Sequence, residues 1–411
     1  MTDLPPRFTT DLEHILPPSL ALPPDQHSTV SSGTGRSARR WDDPPEDEAS
    51  APPIEMPTTM VLVQSGESLA VTGNSSEVTF LAFAPSSAHL IAGKPAVGAK
   101  YTVDPTRPST LMTWYVPTRK RLAASSFDML PFHGGGNGGP AFQPHQFDRV
   151  LVAVPTQLKH VGAASSTIPA TGWPVTPWLE IYDLGRGERL LRQAVVQVRA
   201  PLAWGPGDVL AGVLVQDPRR IGLVRLVNFG HKDRSYTQKG EVLMGHMDEV
   251  TQVEFLPKTW AGGQAAVVSA GRDGYVRVTG VQSGRTLKKI AVAARGAAEM
   301  MRITPDGKLV VTVWGRDVVL WYLGSGRVHT YNLDAVRQYE CWPLCVSPDC
   351  RYLVCRTDEG VVVSDVQTGM FRGECAWPGK TVTAAAVNGH GTLLAVGDYG
   401  GRIQMYDMVT S

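Results

Sequence analysis

Cysteine is scarce in this chain. There are five in 411 residues, four of them inside CWPLCVSPDCRYLVC at 341–355 and the fifth at Cys375. So sparse and odd a set argues against the disulfide framework of a small secreted domain and fits a reducing compartment, with cytoplasm and nucleus equally open. Long apolar runs are missing too. No stretch of about 18 apolar residues occurs, so no membrane-spanning helix and no membrane insertion are expected. The first residues lack a basic segment followed by an unbroken apolar one, so no secretory signal is expected. Net charge is nearly absent at +1, which removes the electrostatic basis for direct nucleic-acid binding or for adhesion to an anionic membrane.

The charge balance hides an asymmetry. Residues 1–59 hold ten Asp and Glu against four Arg, while the remainder carries 35 Lys and Arg against 28 Asp and Glu. The same stretch contains eleven prolines, ten of them in five Pro-Pro pairs. Proline removes backbone donors, and the polar, acidic filling leaves little to bury. Residues 1–59 are therefore expected to form a disordered, acidic, proline-rich arm. Within it Leu12, Ile15 and Leu16 of TTDLEHIL lie at i, i+3 and i+4 behind a Thr able to cap a helix. That pattern suits either a nascent helix without a partner or a docking peptide.

From Met60 onward short apolar and β-branched runs are broken by Gly, Pro and Asp, and an internal repeat emerges. The segments GYVRVTGVQSGRT, RDVVLWYLGSGRV, EGVVVSDVQTGMF and GRIQMYDM place Thr279, Trp321, Ser364 and Tyr406 in correspondence, with steps of 42, 43 and 42 residues. The turn glycines Gly284, Gly326 and Gly369 keep that spacing. A period near 42 in an all-β chain is that of a four-stranded propeller blade. A second register agrees: apolar residues stand two, four and seven places before a Pro or Gly turn. Examples are Phe255, Val253 and Val250 before Pro257, Phe83, Leu81 and Val78 before Pro85, and Val387, Ala385 and Val382 before Gly389. Even offsets keep one strand face buried.

Together the registers predict an all-β, seven-bladed β-propeller of four-stranded antiparallel blades over 60–411. The first three units are less regular because of inserts such as VPTQLKHVGAASSTIPATGWPVTPW. The last unit runs out after its third strand, while MVLVQSGESLAVTG at 60–73 has no blade of its own. This segment is expected to supply the missing outer strand of the last blade and so remove an exposed sheet edge.

The unit MGHMDEVTQVEFLPKTWAGGQAAVVSAGRDGYVRVTGVQSGRTLKKI, with Gly-His near its start and a Ser followed by an Asp-Gly turn, resembles a WD-repeat. The Tyr-Asp pairs at 182–183 and 406–407 resemble the family's Trp-Asp endings. In that family a His, a Ser or Thr, an Asp and a Trp form a hydrogen-bonded tetrad within one blade. His246, Ser269 and Asp273 match it residue by residue, with Thr279 where the Trp belongs. Asp358 matches the Asp position of a later blade, which has Ser364 in place of the Trp. The resemblance implies that the loops before each first strand and between second and third strands converge on one face. Met247, Asp248, Glu249, Arg272, Trp314, Arg316, Thr357 and Tyr399 fall there and make the expected partner-binding face, since Trp, Tyr and Arg anchor interfaces. For Trp314, packing at a blade's end is the alternative.

No catalytic residue, cofactor or metal site is expected. WPGKT at 377–381 lacks the first glycine of a phosphate-binding loop and has no helix after it. HGGGNGG at 133–139 reads as an exposed loop, and His133, His145, His160 and His231 lack ligand spacing. FRG at 371–373 falls short of the twin-arginine motif of phosphoinositide-binding propellers. In the repeat register Cys341 takes a core position, Cys345 a small-residue position, and Cys350 the place of the turn glycine Gly307, with Cys355 in the next strand. Side chains so dispersed do not converge on a metal. Free thiols are expected, with Cys350, in an exposed turn, the first to meet an alkylating reagent. The expected function is a non-catalytic scaffold or adaptor in a larger complex, binding other proteins through the propeller's loop face, with the arm as a second contact. A subunit of a nuclear chromatin or transcription complex is the alternative, and a propeller-based enzyme a lesser one.

Overall fold

The computed structural model describes residues 59–70, 77–94, 109–127, 141–142, 151–157, 177–183, 188–193, 198–205, 209–214, 217–226, 236–237, 242–243, 245–258, 260, 264–293, 296–336, 340–377 and 381–410. The expected arm with its TTDLEHIL segment, HGGGNGG, His133, His145, His160 and His231 lie outside them. The chain divides between Glu55 and Met56, and every described residue belongs to the second part.

Apart from one helical turn at Leu333–Val336, the described elements are β-strands, paired antiparallel in meanders of consecutive strands. Val250–Phe255, Ala266–Gly271, Tyr275–Gly280 and Thr286–Ala291 make one sheet. Met300–Ile303, Leu309–Trp314, Asp317–Tyr322 and Val328–Asn332 make the next, followed by Trp342–Val346, Tyr352–Arg356, Gly360–Asp365 and Phe371–Ala376. Phe80–Phe83, His89–Lys94, Ser109–Tyr115 and Lys120–Phe127 form another. Val198–Gly205, Val209–Leu214 and Ile221–Leu226 pair likewise, with Tyr236–Thr237 and Val242–Leu243 both on the outer side of Ile221–Leu226. The sheet of Val382–Val387, Leu393–Asp398 and Arg402–Thr410 is completed from the other end of the described chain. Met60–Gln64 and Leu69–Ala70 pair with Arg402–Thr410, Met60 opposite Thr410 and Leu69 opposite Ile403.

The second strand of each unit shows why these residues form these sheets. Ala266–Gly271 and Leu309–Trp314 are buried along their whole length, so they read as unbroken small and β-branched runs instead of alternating ones. Neighbouring residues then serve opposite sides, as the period of two demands. Val267 packs with Leu223 of the preceding sheet, whereas Val268 packs with Met301 and Val310 of the following one. Val311 shares a core with Leu353, Val354 with Leu394, and Ala395 with Leu81 and Leu90. Outer strands such as Thr286–Ala291 alternate with solvent and carry Lys288 and Lys289.

These shared cores string six sheets into one β-propeller, from 198–226 through 250–291, 300–332, 342–376 and 382–410 to 80–127. The expected count of seven is corrected to six blades with described packing. Ala141–Phe142, Leu151–Gln157, Pro177–Asp183 and Glu188–Gln193 do pair into a further sheet, described by its backbone alone. Its first strand has two residues, where the innermost strands of the six blades have four to eight.

The 42-residue spacing has a backbone cause. Gly284, Gly326 and Gly369 adopt φ of +63°, +75° and +68°, and each donates its amide to the carbonyl four residues back, at 2.8–2.9 Å. A left-handed position closing the turn between third and fourth strands favours glycine. The turn between first and second strands has a similar position, filled by Gly307 and Gly391 at +70° and +67° but by Cys350 at +58°. Here the sequence expectation fails: Cys350 is 2% exposed and packs with Val346 and Leu353. The reason lies in the neighbouring blade. At Gly307 an added Cβ would meet Pro257 of the preceding blade at 3.0 Å, and Cys350 likewise faces inward, into the core it shares with the blade before it.

Close backbone approach, as distinct from turn geometry, restricts Gly360. A Cβ there would stand 2.2 Å from the Cys375 carbonyl oxygen and 2.9 Å from the Trp377 amide nitrogen. Gly360→Ala should lower unfolding free energy by about 3 kcal/mol in urea titrations, through strain that no side-chain adjustment relieves. Gly284→Ala, with open space but φ of +63°, should cost about 1 kcal/mol.

Candidate functional site

The start of each first strand pairs with the end of its second strand: Val250 faces Gly271, Met300 faces Val313, Trp342 faces Arg356 and Val382 faces Asp398. The loops entering the blades and the turns between second and third strands therefore share one end of the blades. All eight residues of the expected face lie at that end, but they are not equally presented. Met247 is 78% exposed, Asp248 and Arg272 are exposed, and Glu249, Arg316, Thr357 and Tyr399 are partly covered. Trp314 is corrected out of the face. It closes the second strand on the side that Val310 occupies, is 2% exposed, and donates its Nε1–H to Thr312 Oγ1 at 2.9 Å.

At the blade of 250–291 a buried polar chain fixes the entering loop. His246 Nδ1 lies 2.9 Å from Asp273 Oδ1, and Nε2 lies 2.8 Å from Ser269 Oγ. Asp273 also accepts the amides of Met247 at 2.9 Å and Tyr275 at 3.2 Å. Burial lowers the His246 pKa below the ordinary 6.5, only partly offset by the Asp273 carboxylate. The ring is therefore neutral, donating from Nδ1 to Asp273 and accepting the Ser269 hydroxyl at Nε2. For Asp273 burial acts upward, but the hydrogen bonds from His246 and the Met247 amide outweigh it and hold the carboxyl below its usual range. Thr279 is buried opposite Val267, while Arg277 stands opposite Ser269. Just beyond, Arg272 donates its amide to the Glu249 carbonyl at 2.8 Å and pairs with its carboxylate at 3.1 Å.

Other blades use different parts at this end. Arg316 binds Asp334 at 2.7 and 2.8 Å, pairs with Glu340 at 3.8 Å, and lies 5.6 Å from the Trp342 ring centre. Arg356 lies 4.8 Å over the same indole and donates to the Val382 carbonyl at 3.3 Å. Thr357 closes its own turn by accepting the Gly360 amide, and Asp358 is exposed, so among the described residues the later blade shows no counterpart of the His246 chain. One fastening had no signal in the motifs. Trp377 donates its Nε1–H to Asp398 Oδ2 at 3.3 Å, Asp398 accepts the Gly400 and Arg402 amides, and the Arg402 guanidinium sits 5.1 Å over the indole. Trp377, in the stretch read against a phosphate loop, is thus an internal strut. A hydrophobic Trp just before a first strand and an Asp ending the second strand are the pattern that would have found it.

Among the described residues no group of three His, Cys, Asp or Glu side chains converges as a metal site. The five cysteines are free thiols, with Cys341, Cys350 and Cys355 buried. Burial pushes Cys345 up to about 12 and Cys375 up to about 11, and Cys350 further above the usual thiol value. What this end of the blades offers is ion pairing, hydrogen bonding and apolar contact on a rigid frame. No protein-family model matches the chain, and no curated protein does either.

These geometries make three outcomes testable. Both His246 and Asp273 have folded-state values below their unfolded ones, so their contribution is complete above about pH 6.5 and is lost as pH falls, first through His246 and then through Asp273. Glu254, raised to about 7, acts with the opposite sign in the same range, so the readout is a difference: the urea-midpoint advantage of the wild type over His246→Gln should shrink between pH 7.5 and pH 5. Asp273→Ala should cost about 3 kcal/mol at pH 7.5, since it strands donors around a charged acceptor. In timed iodoacetamide labelling of the folded protein followed by mass spectrometry, Cys345 and Cys375 should react slowly and before Cys350. Faster labelling at Cys350 would contradict its inward orientation.

Proposed function

We propose that the protein is a non-catalytic interaction scaffold, an adaptor subunit that binds other proteins through the blade end carrying Met247. The blade architecture and the His246, Ser269 and Asp273 match support a relationship to WD-repeat propellers, with the 141–193 sheet as a seventh blade. The observation that carries the functional reading is the presentation of Met247. Its backbone amide is held 2.9 Å from Asp273 by a buried His–Asp–Ser chain, yet its side chain is 78% exposed. A flexible apolar side chain on a fixed backbone, ringed by Asp248, Glu249 and Arg272, is suited to enter an apolar recess of a partner while the polar rim sets orientation. The residues before 60, acidic and proline-rich, add a second contact whose effect is avidity.

The experiment is affinity purification of the full chain from cells, with Met247→Glu and Arg272→Glu beside Lys308→Glu. Lys308 lies in a turn between first and second strands, at the opposite end of its blade, and is 80% exposed. The first two variants should lose partners about tenfold or more while the third retains them. A full partner set on both Met247→Glu and Arg272→Glu would remove this face from consideration.

A further inference from the structure

Two arginines at this end of the blades are placed unlike the rest. Most guanidiniums there are matched by acid: Arg272 by Glu249, Arg316 by Asp334 and Glu340, Arg277 by Asp273 at 3.7 Å. Arg356 and Arg402 have no carboxylate partner among the described residues. Each instead lies over an indole, Arg356 over Trp342 at 4.8 Å and Arg402 over Trp377 at 5.1 Å. Their hydrogen bonds use only part of each fork. Arg356 gives Nη1 to the Val382 carbonyl, and Arg402 gives Nε to Ser68 Oγ at 3.0 Å. Both side chains belong to partly exposed residues.

The two positions are mechanically linked. Arg356 ends the second strand of its blade and reaches the first residue of the next blade's innermost strand, Val382, which stands opposite Asp398. Asp398 in turn holds both Trp377, on which Arg402 stacks, and the Arg402 amide. Stacking removes rotamer freedom before any ligand arrives, and a guanidinium with free N–H groups matches a carboxylate in plane, two bonds at a time. The arrangement is a pre-set pair of anion receptors on two adjacent blades.

We propose that Arg356 and Arg402 anchor an acidic peptide segment of a partner protein, each binding a carboxylate side chain. This rests on the partner-face reading and gives it a chemistry. Asp358 and Glu359 in the intervening turn are exposed, so the segment's carboxylates gain their binding at the two arginines and not against that turn. Trp342 and Trp377 form the floor beneath the two contacts.

The test is fluorescence anisotropy of the full chain with a fluorescein-labelled decaglutamate, beside decalysine and a phosphoserine decamer. Decaglutamate should bind, weaken with added salt, and lose about tenfold in affinity in Arg356→Gln or Arg402→Gln. Arg356→Lys and Arg402→Lys should also weaken it, because charge alone does not restore the bidentate, stacked geometry. Lys308→Gln should leave it unchanged, and matching thermal melts for all variants exclude loss of fold. Equal binding by an Arg356→Gln/Arg402→Gln double variant overturns the anchor, as does binding of the phosphoserine decamer without decaglutamate. If partner capture fails in Met247→Glu while decaglutamate ignores both arginines, the face stands and the anchor falls. If decaglutamate binding needs the arginines but partner capture ignores Met247 and Arg272, the reverse holds.

Discussion

Everything else in this fold depends on the fact that its sheets have two apolar faces and no layer of their own to cover either. A second strand such as Ala266–Gly271 is buried end to end, and its alternate residues feed two different cores, Val267 on one side and Val268 on the other. An isolated four-stranded sheet of this composition would leave both faces in water. Each face is worth burying only against the next sheet, so stability resides in the contacts between blades more than within them. The same logic explains the return of Met60–Gln64 to Arg402–Thr410: pairing two distant segments within one sheet covers a strand edge and ties the two together.

Much of this was legible in the sequence for a specific reason. The positions that repeat at 42 to 43 residues are turn glycines with φ near +70°, and a backbone requirement of that kind leaves few alternatives at a residue. The offsets of two, four and seven before each turn likewise mark residues that the structure buries, Val250, Val253 and Phe255 among them. What the pattern did not carry is orientation relative to a neighbouring blade. Cys350 was correctly placed in a turn and wrongly exposed, because its cover comes from the blade before it. Trp314 failed for the same reason. The Trp377–Asp398 fastening was invisible because its residue types differ from the His246–Asp273 pair it parallels, at 21 residues' separation against 27.

The two fastenings show how a face can be rigid without being uniform. Each ties the loop entering a blade to a carboxylate at or just after the end of its second strand, one through a neutral imidazole and one through an indole. In both, a buried carboxylate collects backbone amides from the turn, which satisfies donors that the bend would otherwise strand. The side chains left over, Met247 in one case and Arg402 in the other, inherit a fixed backbone and differ only in chemistry. Recognition on such a surface is set by which residue stands beside a strut, while the strut itself is structural.

Unequal contacts between blades have a further consequence for assembly. Sheets with interchangeable apolar faces risk docking in the wrong order, the characteristic failure of repeat chains. Four of the five described junctions carry a side-chain hydrogen bond of their own kind. Gln252 donates to the carbonyls of Ala298 and Glu299, Tyr331 donates to the Val366 carbonyl at 2.8 Å, Arg356 reaches Val382, and Thr383 donates to the Val78 carbonyl at 2.7 Å. Between 250–255 and 300–303, Glu254 faces Arg302 at 4.0 Å, at the position where other innermost strands place Ala82, Cys345 or Ala386. Burial pushes Glu254 up to about 7 against the opposing pull of Arg302, so this junction gains little net stability from its charges. Its worth is selective: a blade displaying alanine at that position offers Arg302 no carboxylate, and one displaying a second arginine would repel it. Degenerate repeats thus follow from the fold's own weakness, since blades that all bury the same surface need different polar marks to find their neighbours.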